Sequence, residues 1–284
     1  MTGHNKGREA GPFSLDDRAR RDFVALSAAA GLAAVAGAVS AAELAVVEKQ
    51  VQITTPDGTA DAVFVYPSSG SHPGVLIWTD AFGLRPVFRE MGKRLAAQGY
   101  SVLVPNPFYR SAKAPVFGDI SNFNFENAED RAKLMKVMNP LTAVGAAEKD
   151  AKAYLAFLLA QPQVDKAKKL GVQGYCMGGA LTVRSAAAAA DQIGAGASFH
   201  GGGLVTDKPE SPHLLAPKIH ARMYFAIAAS DDERQPDAKD KLREAFVAAK
   251  VPVEIEVYAG AQHGWCVSDM PARKGVPIYN QQDA

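Results

Sequence analysis

The chain has 284 residues, of which 48% are hydrophobic, and it carries 31 Lys and Arg against 30 Asp and Glu. This length fits one large domain with a short leader better than two domains, and the hydrophobic content is sufficient for one large core. Residues 43–284 hold 26 basic and 26 acidic side chains, so their formal net charge is zero. A nucleic-acid-binding surface would need a basic excess, and nucleic acid is therefore not expected as a partner.

The first 42 residues have the pattern of a targeting segment and are left out of the fold prediction. Arg20 and Arg21 precede a weakly hydrophobic stretch rich in Ala and Gly, residues 24–39, which ends on the small residues Ser40-Ala41-Ala42. This pattern resembles a twin-arginine export signal cleaved after Ala41 or Ala42. It implies the twin-arginine export machinery as a partner, a periplasmic mature protein and no stable membrane anchor. An uncleaved anchor and an ordinary amphipathic leader are the alternatives.

The apolar runs after the leader predict an α/β fold. Strands 45–53 and 60–66 are expected to form an opening antiparallel hairpin around Pro56-Asp57-Gly58. Further strands are predicted at 74–79, 101–104, 170–173, 194–199, 222–229 and 253–258, and helices at 87–98, 141–159, 180–190 and 236–249. This alternation predicts a mostly parallel twisted sheet with helices on both faces, whose loops at the carboxyl ends of the strands gather ligands. Segment 106–139 is expected to be irregular, and its aromatic residues either line a pocket or anchor the segment to the core.

The motif with the clearest functional meaning is Gly174-Tyr175-Cys176-Met177-Gly178-Gly179. A short apolar run precedes it and an alanine-rich stretch follows, which is the strand–turn–helix layout of a nucleophile elbow with a thiol as nucleophile. Glycines two positions either side of Cys176 fit the strained backbone of such a turn. The amino end of the following helix would favour a thiolate. The alternative is a buried cysteine at a packed strand end.

A thiol nucleophile needs a base, and the base needs a carboxylate that orients it. Elbow enzymes keep the chain order nucleophile, acid, histidine. Of six histidines, His263 lies in a glycine-rich loop after strand 253–258, and Asp231 follows strand 222–229. Cys176, Asp231 and His263 are therefore the predicted catalytic residues, with Asp232 as the alternative acid. Taken alone, a loop histidine is commonly solvated, and acidic residues after a strand commonly cap the next helix.

Residues from about 46 to 284 resemble the dienelactone hydrolase family of α/β-hydrolases. The resemblance rests on separate blocks in the same order, namely the elbow, Asp231, Gly260-Ala261-Gln262-His263-Gly264, and segments 75–84 and 98–110. It implies an α/β-hydrolase domain over 43–284 that stops about where the family begins its last helix, so that either the protein ends early or the sequence is a fragment. It also implies cleavage of a small ester or lactone without a cofactor, through Cys176 as nucleophile, His263 as base and Asp231 as its orienting acid.

The same resemblance assigns residues around these three. Backbone N–H groups of Met177 and Ala81 would hold the oxyanion. Asp80 stands where the family has a glutamate that interacts with the resting cysteine, and Arg110 matches an arginine that binds the substrate carboxylate. Val267 stands where the family's second such arginine is expected. Because valine gives no bidentate pairing, this departure weakens dienelactone itself as the substrate.

Cys266, the second of two cysteines, lies three residues after His263. A disulfide with Cys176 is therefore the alternative use of both thiols in an oxidising compartment, although two free thiols are expected. The histidines and cysteines lack zinc-ligand spacing, so no metal is expected. His200-Gly201-Gly202-Gly203 resembles a lipase oxyanion motif but follows the nucleophile, and it is given no role. The rival functions are a non-catalytic small-molecule-binding protein on the same fold, and an acyltransferase that uses the same three residues.

Overall fold

The sheet begins with an antiparallel hairpin. The computed structural model describes residues 43–273 and 275–284, and in it β1 (Val46–Thr55) pairs with β2 (Gly58–Pro67) along its whole length. At the turn, the Thr55 hydroxyl donates to the Gly58 carbonyl at 3.0 Å. Gly58 has a φ of +140°, which favours glycine. The predicted opening hairpin is confirmed, with slightly different strand ends.

Six more strands complete one eight-stranded sheet. They are β3 (Gly74–Trp78), β4 (Ser101–Pro105), β5 (Leu170–Tyr175), β6 (Ile193–Phe199), β7 (Arg222–Ala228) and β8 (Val253–Tyr258). The order across the sheet is β1-β2-β4-β3-β5-β6-β7-β8; β2 and β4 are antiparallel, and the later pairs are parallel. Every residue of β3 and β4 is buried, as expected for central strands covered on both faces. The predicted mostly parallel sheet is therefore confirmed.

The helices differ from the prediction in one place that matters for the site. They are α1 (Pro86–Ala97), α2 (Ala128–Thr142), α3 (Ala146–Ala160), α4 (Met177–Ala188), α5 (Ala229–Arg234) and α6 (Ala238–Ala248), with a 3-10 helix at Pro212–Lys218. The helix predicted at 141–159 is observed as α3 but begins five residues later, because Gly145, with a φ of +77°, separates it from α2. The expected irregular segment 106–139 ends in α2. Asn127 caps this helix, and its side chain accepts from the amides of Glu129 and Asp130.

Large aromatic side chains fill the core beside the central strands. Trp78, Tyr154 and Trp265 are among the largest fully buried residues. The Trp78 indole N–H donates to the Ser185 hydroxyl at 2.9 Å, which ties β3 to α4. Over the described residues, none of the helices has the length and apolar character needed to span a bilayer. The predicted export signal, residues 1–42, lies outside the described residues.

Candidate active site

Cys176 occupies a strained turn between β5 and α4. Its φ and ψ are +53° and −116°, a conformation that non-glycine residues rarely adopt. The Cys176 amide donates to the Phe199 carbonyl at 3.1 Å, and the Gly202 amide donates to the Cys176 carbonyl at 3.0 Å. The cysteine is half-buried and lines a cavity. The predicted strand–turn–helix layout of this segment is confirmed.

The glycines of the motif permit close packing around this turn. A Cβ on Gly178 would lie 2.6 Å from the carbonyl oxygen of Trp78 and 2.7 Å from that of Thr79, at the end of β3. A Cβ on Gly174 would overlap the backbone of Gly178. Closely packed interiors do not tolerate such overlaps without a backbone shift. The start of α4 therefore lies directly against the end of β3, and glycine is required for this contact.

His263 and Asp231 meet at the carboxyl ends of β8 and β7. The Nδ1 of His263 lies 2.8 and 3.0 Å from the two carboxylate oxygens of Asp231. The hydroxyl of Ser230 accepts from the His263 amide at 2.9 Å, which fixes the backbone of the histidine loop. Asp232, the alternative acid, instead pairs with Lys239 at 2.6 Å. The geometry thus selects Asp231 as the partner of the imidazole.

His263 is also coupled to the thiol. Burial opposes the charged imidazolium, but the charge of Cys176 and hydrogen bonds to Asp231 and Cys176 outweigh it and raise the pKa of His263 to about 10. Because Nδ1 faces Asp231, Nε2 is the nitrogen left for the sulfur of Cys176. Asp231, His263 and Cys176 therefore lie together, with the Nδ1 of His263 bonded to Asp231 and the imidazole electrostatically coupled to Cys176.

This raised pKa has a consequence for stability. A histidine whose pKa rises from its ordinary value of 6.5 to about 10 on folding stabilises the protein fully below pH 6.5, and that contribution is lost as the pH rises through about 10. We therefore expect wild type to lose stability relative to His263→Gln between pH 7 and pH 10.5. Urea unfolding of both proteins across this range measures the difference, and a difference that does not change with pH would contradict the coupling.

Two backbone amides lie near the turn of Cys176. Met177 is the first residue of α4, and Ala81 lies in the loop directly after β3. The contact of Gly178 with the end of β3 brings these two segments together. Among the hydrogen bonds of the described residues, neither the Met177 amide nor the Ala81 amide has an acceptor. Both predicted oxyanion donors are thus unused and close to the turn of Cys176.

Asp80 lies in the cavity wall but is engaged by an arginine. Its carboxylate, 1% exposed, accepts from the Arg85 guanidinium at 2.7 and 2.9 Å and from the Phe82 amide at 2.9 Å. Burial raises the pKa of Asp80, and the Arg85 guanidinium opposes that rise. Arg85 also pairs with Asp269 at 2.7 Å. Among the described residues, the Asp80 carboxylate makes no hydrogen bond with Cys176, so Asp80 does not make the contact with the resting cysteine that the family's glutamate makes.

The structure places Arg110 away from the cavity that contains Cys176. Its guanidinium donates to Asp150 at 2.7 and 2.8 Å and to Asp57 at 2.7 Å, and it lies 4.5 Å from the centre of the Tyr109 ring. Two carboxylates therefore neutralise it, and Arg110 is not among the residues that line the cavity. This geometry corrects the prediction that Arg110 binds substrate. Arg110 ties the β1–β2 turn to α3 instead.

Two other arginines lie where a substrate could reach them. The cavity has a volume of about 640 Å³, and Arg234 and Arg273 line it together with Cys176 and His263. Both arginines are exposed, and Arg234 lies 3.5 Å from Asp231. The sequence offered no signal for either, because each depends on a loop path that local patterns do not specify. Further lining residues are Ser121, Phe123, Phe125, Glu126, Met270 and Ile278.

His200 is a residue next to the nucleophile that the sequence analysis left without a role. It is 1% exposed, and its Nδ1 accepts from the Cys176 amide at 3.1 Å. Its ring centre lies 5.0 Å from that of His263 and 5.2 Å from that of Trp265. Burial and the nearby His263 lower the pKa of His200, so it stays neutral beside the imidazole of His263. The one sequence feature that could have predicted its place in the site is that His200 directly follows β6, the strand beside the elbow strand.

Both cysteines are free thiols in the structure, as expected. Cys266 is 6% exposed, and burial raises the pKa of its thiol to about 12, with the Asp283 carboxylate adding to that rise. Cys266 is therefore a poor nucleophile at neutral pH. Within the described part of the chain, no three His, Cys, Asp or Glu residues form a group suited to a metal ion.

The sheet is open and mostly parallel, and the turn of Cys176 follows a central strand. Asp231 and His263 follow later strands. This arrangement defines an α/β-hydrolase fold. The model of the dienelactone hydrolase family matches residues 60–282, and the chain belongs to that family. A carboxymethylenebutenolidase of Rhodococcus opacus is 26% identical over 219 residues, which are 76% of this chain and 79% of that protein.

Solved structures agree on the fold. A dienelactone hydrolase-like promiscuous phosphotriesterase from metagenomic libraries superposes with a TM-score of 0.64 at 24% identity, covering 84% of this chain and 92% of that one. A dienelactone hydrolase of Anabaena variabilis superposes with a TM-score of 0.56 at 15% identity, covering 77% of this chain and 88% of the other. The chain is therefore a hydrolase-family protein whose fold its structural neighbours share.

Proposed function

We propose that the protein hydrolyses a small ester or lactone through a covalent acyl-enzyme. The observation that carries this proposal is the single imidazole of His263, which bonds to Asp231 through Nδ1 and is coupled to Cys176 at the edge of a cavity of about 640 Å³. The Rhodococcus opacus relative is named as a carboxymethylenebutenolidase, which supports the same class of reaction here.

In the first half-reaction, the sulfur of Cys176 attacks the carbonyl carbon, and the carbon–oxygen double bond opens to an oxyanion. The amides of Met177 and Ala81 donate to this oxyanion, each contributing on the order of 3 kcal/mol to lowering the barrier. The ester carbon–oxygen bond then breaks. His263 gives its proton to the departing alkoxide, which leaves a thioester on Cys176. In a lactone the alcohol remains attached to the acyl group.

In the second half-reaction, water attacks the thioester carbon while His263 accepts a proton from it. The carbon–sulfur bond breaks, and the acid product and the thiolate of Cys176 are released. Asp231 remains ionised throughout. It holds the imidazole in the orientation that serves both steps and stabilises the imidazolium that forms.

Selective alkylation of Cys176 tests this proposal. At pH 7, a short pulse of iodoacetamide is expected to modify Cys176 at least about 10-fold faster than Cys266, because Cys266 is buried and its pKa is raised to about 12. Peptide mass spectrometry of the native protein measures both rates. In His263→Ala the labelling rate of Cys176 is expected to fall on the order of 10-fold, because its imidazole partner is gone, while the rate at the buried Cys266 stays the same.

Slow labelling of Cys176 that does not depend on His263 would argue for a non-catalytic binding protein instead. An acyltransferase would pass the labelling test but would release product faster when a thiol or amine acceptor is added. Measuring ester turnover with and without such acceptors separates hydrolysis from acyl transfer, since the water route predicts no acceleration.

We extend the proposal to lactones that carry a carboxylate, as the name carboxymethylenebutenolide describes. Arg234 and Arg273 supply positive charge at the cavity, in place of the Arg110 contact that the structure does not provide. We expect Arg273→Ala to lower kcat/KM about 10-fold for a carboxylated lactone and to leave its neutral methyl ester almost unchanged. Equal effects on both substrates would contradict a role for Arg273 in carboxylate binding.

A further inference from the structure

Aromatic rings form one wall of the catalytic cavity. Phe82, Phe123 and Phe125 all line it. The ring centres of Phe123 and Phe125 are 4.9 Å apart with an interplanar angle of 67°, and those of Phe82 and Phe123 are 4.9 Å apart at 82°. Phe82 is fully buried behind the other two, whereas Phe125 is 51% exposed. The wall therefore presents ring surface to the cavity, and no other part of the described protein covers the exposed face of Phe125.

The segment that carries these rings is fixed in place. The Arg131 guanidinium donates to the carbonyls of Phe125 and Glu126 at 2.9 and 2.7 Å. The Asn124 side chain accepts from the Glu126 amide at 2.8 Å, and the Asp130 carboxylate accepts from the Asn124 amide at 3.1 Å. These contacts bind the segment to the first turns of α2. The rings are thus held in a defined arrangement before any ligand arrives.

The cavity is larger than a small lactone needs. Its volume of about 640 Å³ lies in the range of pockets that bury drug-sized ligands. Met270 and Ile278 add apolar surface to the lining. Phe82, the innermost ring, directly follows Ala81, whose amide is the proposed oxyanion donor. An apolar group attached near the reacting carbonyl would therefore reach the rings.

We propose that this wall is a subsite for an aryl group, so that the substrates are esters or lactones bearing an aromatic ring close to the reacting carbonyl. Edge-to-face contacts with Phe123 and Phe125 would continue the arrangement that these rings already have with each other. Such contacts favour an aromatic ring over a saturated ring of similar volume, because only the aromatic ring carries the matching quadrupole. This subsite rests on the proposed function, since it serves the same Cys176.

The test uses three reagents that alkylate the same sulfur: iodoacetamide, N-benzyliodoacetamide and N-(cyclohexylmethyl)iodoacetamide. In each case the sulfur of Cys176 forms a bond to the methylene carbon and iodide leaves. Rates are divided by the rate of the same reagent with free glutathione, so that only the effect of the cavity remains. The reaction of wild type with the benzyl reagent is expected to saturate as the reagent concentration rises. At low concentration, the corrected rate with the benzyl reagent is expected to be about 10-fold higher than with iodoacetamide and about 3-fold higher than with the cyclohexylmethyl reagent.

Matched variants locate the effect. Phe123→Leu and Phe125→Leu each keep an apolar side chain and are expected to reduce the benzyl advantage roughly 3- to 10-fold. Phe117→Leu is the control, because Phe117 packs against Phe82 and Phe123 at 5.8 and 6.3 Å but does not line the cavity. It is expected to change the advantage less than about 2-fold. Thermal unfolding of the exposed-site variant Phe125→Leu checks that the fold is retained.

The outcomes separate this subsite from the proposed function. Equal corrected rates for the benzyl and cyclohexylmethyl reagents, or an equal loss in Phe117→Leu, would overturn the aryl subsite. Fast labelling of Cys176 by iodoacetamide in those same samples would leave the catalytic proposal standing. If iodoacetamide labels Cys176 no faster than Cys266, the proposed function fails, whatever the aromatic reagents do.

Discussion

Replacing Cys176 by alanine is expected to lower kcat for ester hydrolysis on the order of 10⁴-fold, and His263→Ala is expected to have a similar effect. The sulfur forms the covalent bond, and the imidazole both stabilises the thiolate and transfers the protons, so each half of the pair is of little use without the other. The double variant should therefore be scarcely worse than either single one. Turnover of a chromogenic ester by the three variants measures this non-additivity.

Cys266→Ala is the matched control for this experiment. It removes a thiol of the same kind from a buried position three residues from His263. Its expected cost is a modest loss of stability from the small cavity it leaves, with kcat reduced less than about 3-fold. A loss of activity in Cys266→Ala comparable to that of Cys176→Ala would mean that the second sulfur takes part in the chemistry, and the proposed mechanism would have to change.

The second large effect is expected at Gly178. A Cβ there would lie 2.6 Å from the carbonyl oxygen of Trp78, the last residue of β3, and 2.7 Å from that of Thr79, and neither backbone oxygen can move aside as a flexible side chain could. Gly178→Ala should therefore push α4 away from the sheet and lower the free energy of unfolding by about 3 kcal/mol. The same shift would displace the Met177 amide and reduce kcat on the order of 100-fold. Urea unfolding and ester turnover measure the two effects.

Gly202→Ala provides the comparison. Gly202 lies beside the same turn and donates its amide to the Cys176 carbonyl, but a Cβ on it would meet no atom within 4 Å. Its backbone does not have a positive φ, and alanine keeps the amide. Stability within about 0.5 kcal/mol of wild type is expected. If Gly178→Ala were as mild as Gly202→Ala, close packing would not be the reason for glycine in the motif.

Local sequence patterns were sufficient to predict most of the strands and the nucleophile turn. Continuous apolar runs located the central strands, and the glycine spacing around Cys176 located the nucleophile turn, because both depend on neighbours in sequence. Helix α2 was missed because segment 106–139 shows little regular periodicity, and the start of α3 was placed at 141 instead of 146. Only the left-handed backbone at Gly145 separates the two helices. Asp231 and His263 were found from strand order, which places the carboxyl ends of parallel strands at one edge.

Pairs of side chains from distant segments of the chain could not be predicted from these local patterns. Arg110 has a position in sequence that fits a substrate contact, yet Asp57 and Asp150 come from distant segments and neutralise it. Asp80 is engaged by Arg85 for a similar reason. His200 lies beside Cys176 because β6 is adjacent to β5 in the sheet. Such pairings depend on which elements become neighbours, and a single sequence does not specify them.

The Arg85 guanidinium has a further consequence, for how molecules enter and leave. It joins Asp80, next to the Ala81 loop, to Asp269, next to Met270 in the C-terminal segment, so it links two sides of the cavity. The pair with Asp80 is buried, whereas the Asp269 side chain is 38% exposed, so the link to the Ala81 loop is the stronger of the two. Because Arg85 links two other sides of the cavity, we expect product to leave past the exposed lining residues of stretch 121–126. Substitutions there are expected to change the rate of product release before they change the chemical step.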